Sequence, residues 1–143
     1  MSQENVKILR AAYAAWNRQD LDQFLTYCSP RVVFHTAGIF PSHDPVYHGH
    51  DGIRNFWQIF HDAWGRLDIQ PSRIEDLDDR VLALIHFEAV GRGSGVEVRR
   101  KLAHVLTFEN GLAIEVHAYA DWAEALEAVG LRESQPFPGQ RNP

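Results

Sequence analysis

The order of the chain's periodicities predicts an α+β protein with helices packed on one face of a curved antiparallel sheet. Three observations carry that prediction. Helix-period segments, interrupted by one short strand, fill the first 64 residues. Strand-period segments joined by tight turns follow, as far as Asp121. A short capped helix, Asp121 to Gly130, then closes the pattern. Helices on one side of an antiparallel sheet are one of the few layer arrangements that bury both kinds of apolar surface. Such a sheet encloses an apolar pocket, so function becomes a question of what the pocket holds.

Each element has its own signal. Val6, Leu9, Tyr13 and Trp16 recur at helical spacing and give the first helix one apolar face. Asp20 reads as the N-cap of a second short helix, with Gln23 completing a capping box and Leu21, Phe24, Leu25 and Cys28 as its stripe. Ser29-Pro30 should stop it. A strand is expected over 31–37, then a loop over 38–49 that carries His43 and His48, with His50 just beyond it. Asp51 reads as the cap of a third helix with the face Ile53, Phe56, Trp57, Phe60 and Trp64. Strands are expected over 67–75, with Pro71 marking an edge or a bulge, then over 80–90, 96–108 and 112–120. Asn110-Gly111 between the last two is a strong hairpin signal. Residues 1–131 form one expected domain, and 132–143, with three prolines, an expected flexible tail.

Composition narrows the partners. With 143 residues, 45% hydrophobic and 23% charged, the chain has room for a single ordinary core. A net charge of -5, with no basic run beyond Arg99-Arg100-Lys101, argues against nucleic acid. Apolar runs such as Val81 to Ile85 are far too short to span a bilayer, and the first residues lack the pattern of a signal peptide. Cys28 stands alone, which fits a reducing cytoplasm and an inert thiol. In the strand 80–90 both faces are largely apolar: Val81, Ala83, Ile85, Phe87 and Ala89 on one, Leu82 and Leu84 on the other. Helices cover only one face, so a homodimer is expected to cover the second.

Eight histidines invite three readings. His48-x-His50 places two imidazoles on one side of an extended segment, with His43 or His35 near in sequence, but zinc needs three or four converging ligands. No metal is therefore expected. His104 is the polar exception on the face Leu102, His104, Leu106 and Phe108, where a desolvated imidazole suits proton transfer or ligand contact. The remaining histidines, His61, His86 and His117, read as surface or interface. Asp121 reads either as a helix cap or as a second acid/base group. Tyr13 and Trp57 carry polar tips, so one of them is expected to line the cavity. No phosphate loop, dinucleotide fingerprint or nucleophile motif is present, and no cofactor is expected.

Four stretches, Tyr13 to Asp22, Tyr47 to Ile53, Phe108 to Gly111 and Asp121 to Gly130, resemble in order and spacing the SnoaL-like family of the nuclear transport factor two superfamily. The resemblance spans residues 4 to 131. It implies a cone-shaped sheet wrapped around the N-terminal helices, a cystatin-like α+β barrel that is usually dimeric. It also implies a cavity for a small hydrophobic or aromatic molecule, with walls expected at Tyr13, Phe34, Thr36, Trp57, Ile85, Phe87, Leu102, Val116 and Ala118. Ketosteroid isomerase chemistry is not implied. Counting back eight residues from Asp20 to that family's tyrosine reaches Ala12. The position of its general base holds Thr36, and that of its second acid holds His104. The linked Asp–Arg–Asp set of limonene-epoxide hydrolases is absent as well. Polyketide-cyclase-like chemistry, with an acid/base Asp or His, leaves His104 and Asp121 as catalytic candidates. The expectation is a cofactor-independent isomerase, cyclase or lyase, or else a binding or assembly module with no turnover.

Overall fold

A computed structural model describes residues 2–39 and 43–131. The expected tail from 132 lies outside the described residues. In chain order the elements are α1 (Ser2–Asn17), α2 (Leu21–Leu25), β1 (Cys28–His35), β2 (Val46–His48), α3 (Gly49–Ala63), β3 (Trp64–Asp76), β4 (Arg80–Gly91), β5 (Glu97–Glu109), β6 (Leu112–Tyr119) and α4 (Trp122–Ala128). The six strands form one sheet in the order β2-β1-β6-β5-β4-β3. It curls around α1 and α3 without closing, which is the expected α+β cone. The sheet is mixed, because β1 lies parallel to β6 while every other pair is antiparallel.

The β5–β6 hairpin turns at Asn110 and Gly111, both at positive φ, 53° and 79°. That pair of left-handed residues is what a tight turn matched to the sheet's twist requires. Pro71 sits on the edge strand β3 beside a register shift, where its missing N–H costs no ladder bond. Asp20 accepts from the Gln23 N–H and caps α2 as its sequence suggests.

Other boundaries differ, for local reasons. Cys28 opens β1 instead of ending α2, and Ser29-Pro30 lies in the stretch where β1 and β6 slip register, which tolerates proline inside a strand. The loop expected over 38–49 contains β2, only three residues long and too short to show periodicity. Asp51 does not cap α3. The helix starts two residues earlier, at Gly49, where φ of 69° bends the chain and an added Cβ would lie 3.0 Å from the Pro30 carbonyl. The Asp51 carboxylate instead pairs with Arg54 at 2.8 Å. Trp64 leaves the helix and begins β3.

The concave face holds the main core: Leu9, Tyr13 and Trp16 of α1 and Phe56 and Phe60 of α3 against Val81, Ala83, Ile85 and Phe87 of β4. The convex face carries a second core, Leu82, Leu84, Ala103 and Val105, covered by Ala125 and Leu126 of α4. The second cover that the two-faced strand demanded, expected from a homodimer, thus comes from the chain's own last helix. α4 is held firmly. Asp121 caps its start, and its end is a Schellman turn in which Gly130 (φ 82°) and Leu131 donate to the Glu127 and Leu126 carbonyls. Trp122 anchors it to the sheet by donating to the Leu102 carbonyl at 2.8 Å.

Candidate functional site

Between the helices and the concave face lies a cavity of about 100 Å³. Its walls include Tyr13, Phe34, Thr36, Ile85, Phe87, Leu102, Val116 and Ala118, together with His104. Alternation along β4, β5 and β6 places these side chains: Ile85 faces Leu102 across one strand pair, and His104 faces Ala118 across the next. The lining is almost wholly apolar and, among the described residues, contains no Asp, Glu, Lys or Arg. Trp57 is not part of it. Its ring stacks on His61 at 3.9 Å and packs edge-on against Trp16, which takes the lining position instead. Asp121 is not part of it either. It is exposed at the start of α4, and its carboxylate accepts from the Ala123 N–H at 2.7 Å. Both shifts follow from helix geometry. Trp57 lies one residue round α3 from Phe56, and the α4 cap projects from the sheet's opposite side.

The chemistry of the cavity rests on one pair. The Tyr13 hydroxyl and His104 Nδ1 are 2.7 Å apart. Neither side chain has another hydrogen-bond partner among the described residues. Burial raises the Tyr13 pKa well above its ordinary value, so the phenol keeps its proton. Burial also lowers the His104 pKa to about 4, so the imidazole is neutral at ordinary pH. With both groups neutral, we assign the Tyr13 O–H as donor to Nδ1. That tautomer leaves Nε2–H without a protein partner. His104 keeps some accessible surface although protein surrounds it, because that surface faces the cavity. The pair therefore presents one N–H donor in an apolar chamber. Phe34 packs edge-on to the His104 ring, with centroids 6.5 Å apart.

Thr36 is buried, and its hydroxyl is committed to the Asp44 carbonyl at 2.7 Å, where it ties down the segment leading into β2. It cannot serve as a base, and its hydrogen-bonding capacity is spent on the backbone. Tyr13 stands one residue off the isomerase spacing, yet it is the residue that reaches His104. Ala12 also lines the wall but has nothing to donate.

The histidines of residues 43–50 do not converge on one another. His50 Nε2 bonds the Cys28 carbonyl at 3.0 Å, His48 is exposed, and the His43 ring packs on Phe56 with centroids 4.4 Å apart. Cys28 lines the cavity with its thiol pKa pushed up to about 12 by burial, which leaves it inert as a nucleophile. Sequence reasoning missed a convex-face group, His35, Glu115 and His117. The cross-strand register that joins them comes from the parallel β1–β6 pair, and no local pattern announces it.

Comparison with known proteins agrees with this architecture. Residues 9–116 match the SnoaL-like domain. An NTF2-like protein of unknown function from Burkholderia pseudomallei K96243 is 26% identical, with a TM-score of 0.76 over 89% of this chain and 98% of that one. TerC, crystallised with polyporic acid, is 21% identical, with a TM-score of 0.75 over 82% of this chain and 92% of its own. A protein of ketosteroid isomerase-like fold from Catenulispora acidiphila DSM 44928, in complex with trimethylamine, is 14% identical, with a TM-score of 0.71 over 90% and 96%. No curated protein matches the sequence. No helix among the described residues is long and apolar enough to cross a membrane. The match over most of the length and the shared cone lead to one conclusion: the chain belongs to the SnoaL-like family, within the NTF2-like, ketosteroid isomerase-like fold.

Proposed function

We propose that the cavity binds a compact, largely apolar organic molecule carrying one hydrogen-bond acceptor, and that the acceptor meets His104 Nε2–H. The observation that carries this reading is the Tyr13–His104 pair at 2.7 Å in an otherwise apolar, uncharged lining. A charged ligand finds no counter-charge among the described lining residues and would lose its hydration without compensation. A ketone, quinone or phenol oxygen on an aromatic frame suits both the walls and the His104 donor. The polyporic acid crystallised with TerC supports a small organic guest in this type of cone.

Turnover in such a site is of one kind. Tyr13 fixes the imidazole, and Nε2–H stabilises charge that develops on the bound oxygen. A neutral histidine whose pKa lies near 4 is a weak base, and the described lining residues include no carboxylate to abstract a proton. Reactions in which the substrate carries its own labile proton, such as isomerisation or cyclisation of an activated carbonyl compound, therefore suit the site. The weak basicity of His104 also favours the second reading, a binding module without turnover. Trp16 in the cavity wall provides the assay: its fluorescence is titrated with a panel of hydroxyquinones and polycyclic phenols. Saturable quenching that is lost in His104→Phe supports the reading. Binding unchanged in that variant removes His104 from the site. Product formation from a bound compound separates enzyme from binder.

A further inference from the structure

We propose that His35, Glu115 and His117 form a binding site for a zinc-type divalent metal ion on the convex face of the sheet. Phe34 and Val116 face the cavity, so their strand neighbours point the other way. The parallel register sets His35 of β1 beside His117 of β6, and Val33 beside Glu115. Three donors thus meet above two adjacent strands, on the side of the wall opposite the pocket.

The distances suit an ion. His35 Nε2 and His117 Nε2 both approach the same carboxylate oxygen, Glu115 Oε2, at 3.0 and 3.4 Å. Zinc bonds of about 2.0–2.1 Å at tetrahedral angles put neighbouring donor atoms about 3.3 Å apart, so these separations match the edges of a coordination polyhedron. All three donor atoms lie within 4.8 Å of one another. The donor set is two imidazoles and one carboxylate, which suits zinc and its neighbours and leaves a fourth position for water. The two imidazoles stack at 3.9 Å and 3°. Parallel rings cannot both aim in-plane lone pairs at one point, so binding requires them to turn about their Cβ–Cγ bonds. The side chains are 31%, 41% and 39% exposed, which leaves room for that turn. Glu115 is the only carboxylate in the group, and it supplies the negative charge. His48 of β2 pairs with Val33 and so lies beside the group on the same face.

An ion here would pin β1 to β6. The inference stands apart from the cavity reading, and its test reads metal alone. Tag-free protein, stripped with chelator and checked for fold by circular dichroism, is titrated with zinc chloride in a calorimeter. One zinc per chain is expected, together with zinc-induced shifts of the His35 and His117 ring nitrogens in NMR. Glu115→Gln, His35→Ala and His117→Ala should each weaken binding by at least the roughly 10–100-fold that loss of even a supporting partner costs a metal site. His48→Gln should bind as the unsubstituted protein does. A zinc-dependent rise in melting temperature should appear in the unsubstituted protein and vanish in the three variants. No saturable binding, ring shifts confined to other histidines, or affinity that survives His35→Ala with His117→Ala would overturn the assignment.

Discussion

Acidification puts the buried imidazole at odds with the fold. The His104 pKa is lowered to about 4 by burial, whereas an unfolded chain holds histidine near its ordinary value of about 6.5. Between those values the unfolded state binds the extra proton and the folded state does not, so stability falls as pH falls. The contribution is fully present above about pH 6.5 and is lost progressively down to about pH 4. From the two pKa values, the linkage costs about 1 kcal/mol at about pH 5.5 and about 2–3 kcal/mol at about pH 4.5. Urea unfolding at about pH 7 and about pH 4.5 measures it, in the natural protein and in His104→Phe. The variant leaves the Tyr13 hydroxyl without its partner and is less stable at neutral pH, so the informative quantity is the pH slope. The carboxylates and other histidines are common to both proteins and cancel in the difference. The natural protein should lose about 2 kcal/mol more than the variant over that range. Parallel slopes, or an NMR titration of the His104 ring centred near 6.5, would refute the argument.

Four further outcomes are expected. Leu84→Asp places an unpaired carboxylate under α4 and should destabilise by several kcal/mol, which a loss of two-state unfolding at room temperature would show. Asp121→Ala should cost about 1 kcal/mol through the lost α4 cap, with any cavity ligand bound as before, as chemical denaturation and the Trp16 titration can check. Gly111→Ala meets no steric neighbour but forces a side chain into φ of 79°, so a loss of about 1 kcal/mol should appear in thermal melts. Cys28 should resist a thiol reagent at neutral pH until denaturant is added, because its pKa near 12 leaves almost no thiolate in the fold.

Most of the cone is readable from local pattern, because its signals are local. Asn110-Gly111, the Asp20 and Asp121 caps and the alternation through β4 and β5 each act over a few residues. What escaped depends on pairing between distant segments. β2 is three residues long and exists only because β1 lies beside it. The start of α3 at Gly49 is set by the approach of Pro30, which the Asp51 signal does not register. In the cavity, alternation placed His104 correctly on the concave face, since a single polar residue on an apolar strand face is conspicuous. Its partner Tyr13 and the His35–Glu115–His117 group are separated from their contacts by 91 and 80 residues, beyond any periodicity argument. Asp121 was ambiguous between cap and acid because both roles want the same carboxylate at the same helix start.

The parallel contact of β1 with β6 bears on how the molecule is made. The first strand to leave the ribosome waits for the last before its inner edge is paired, and the helix that seals the opposite side comes after both. A nascent chain that ends before residue 112 therefore holds α1, α3 and three long strands but no finished chamber, and its convex leucines are still bare. Closing so long a loop is slow compared with forming any hairpin within it. The guest binding proposed for the cavity would thus require every element through β6. If the cavity takes the proposed guest, that guest could act only after β6 arrives, by holding shut a wall that has already formed.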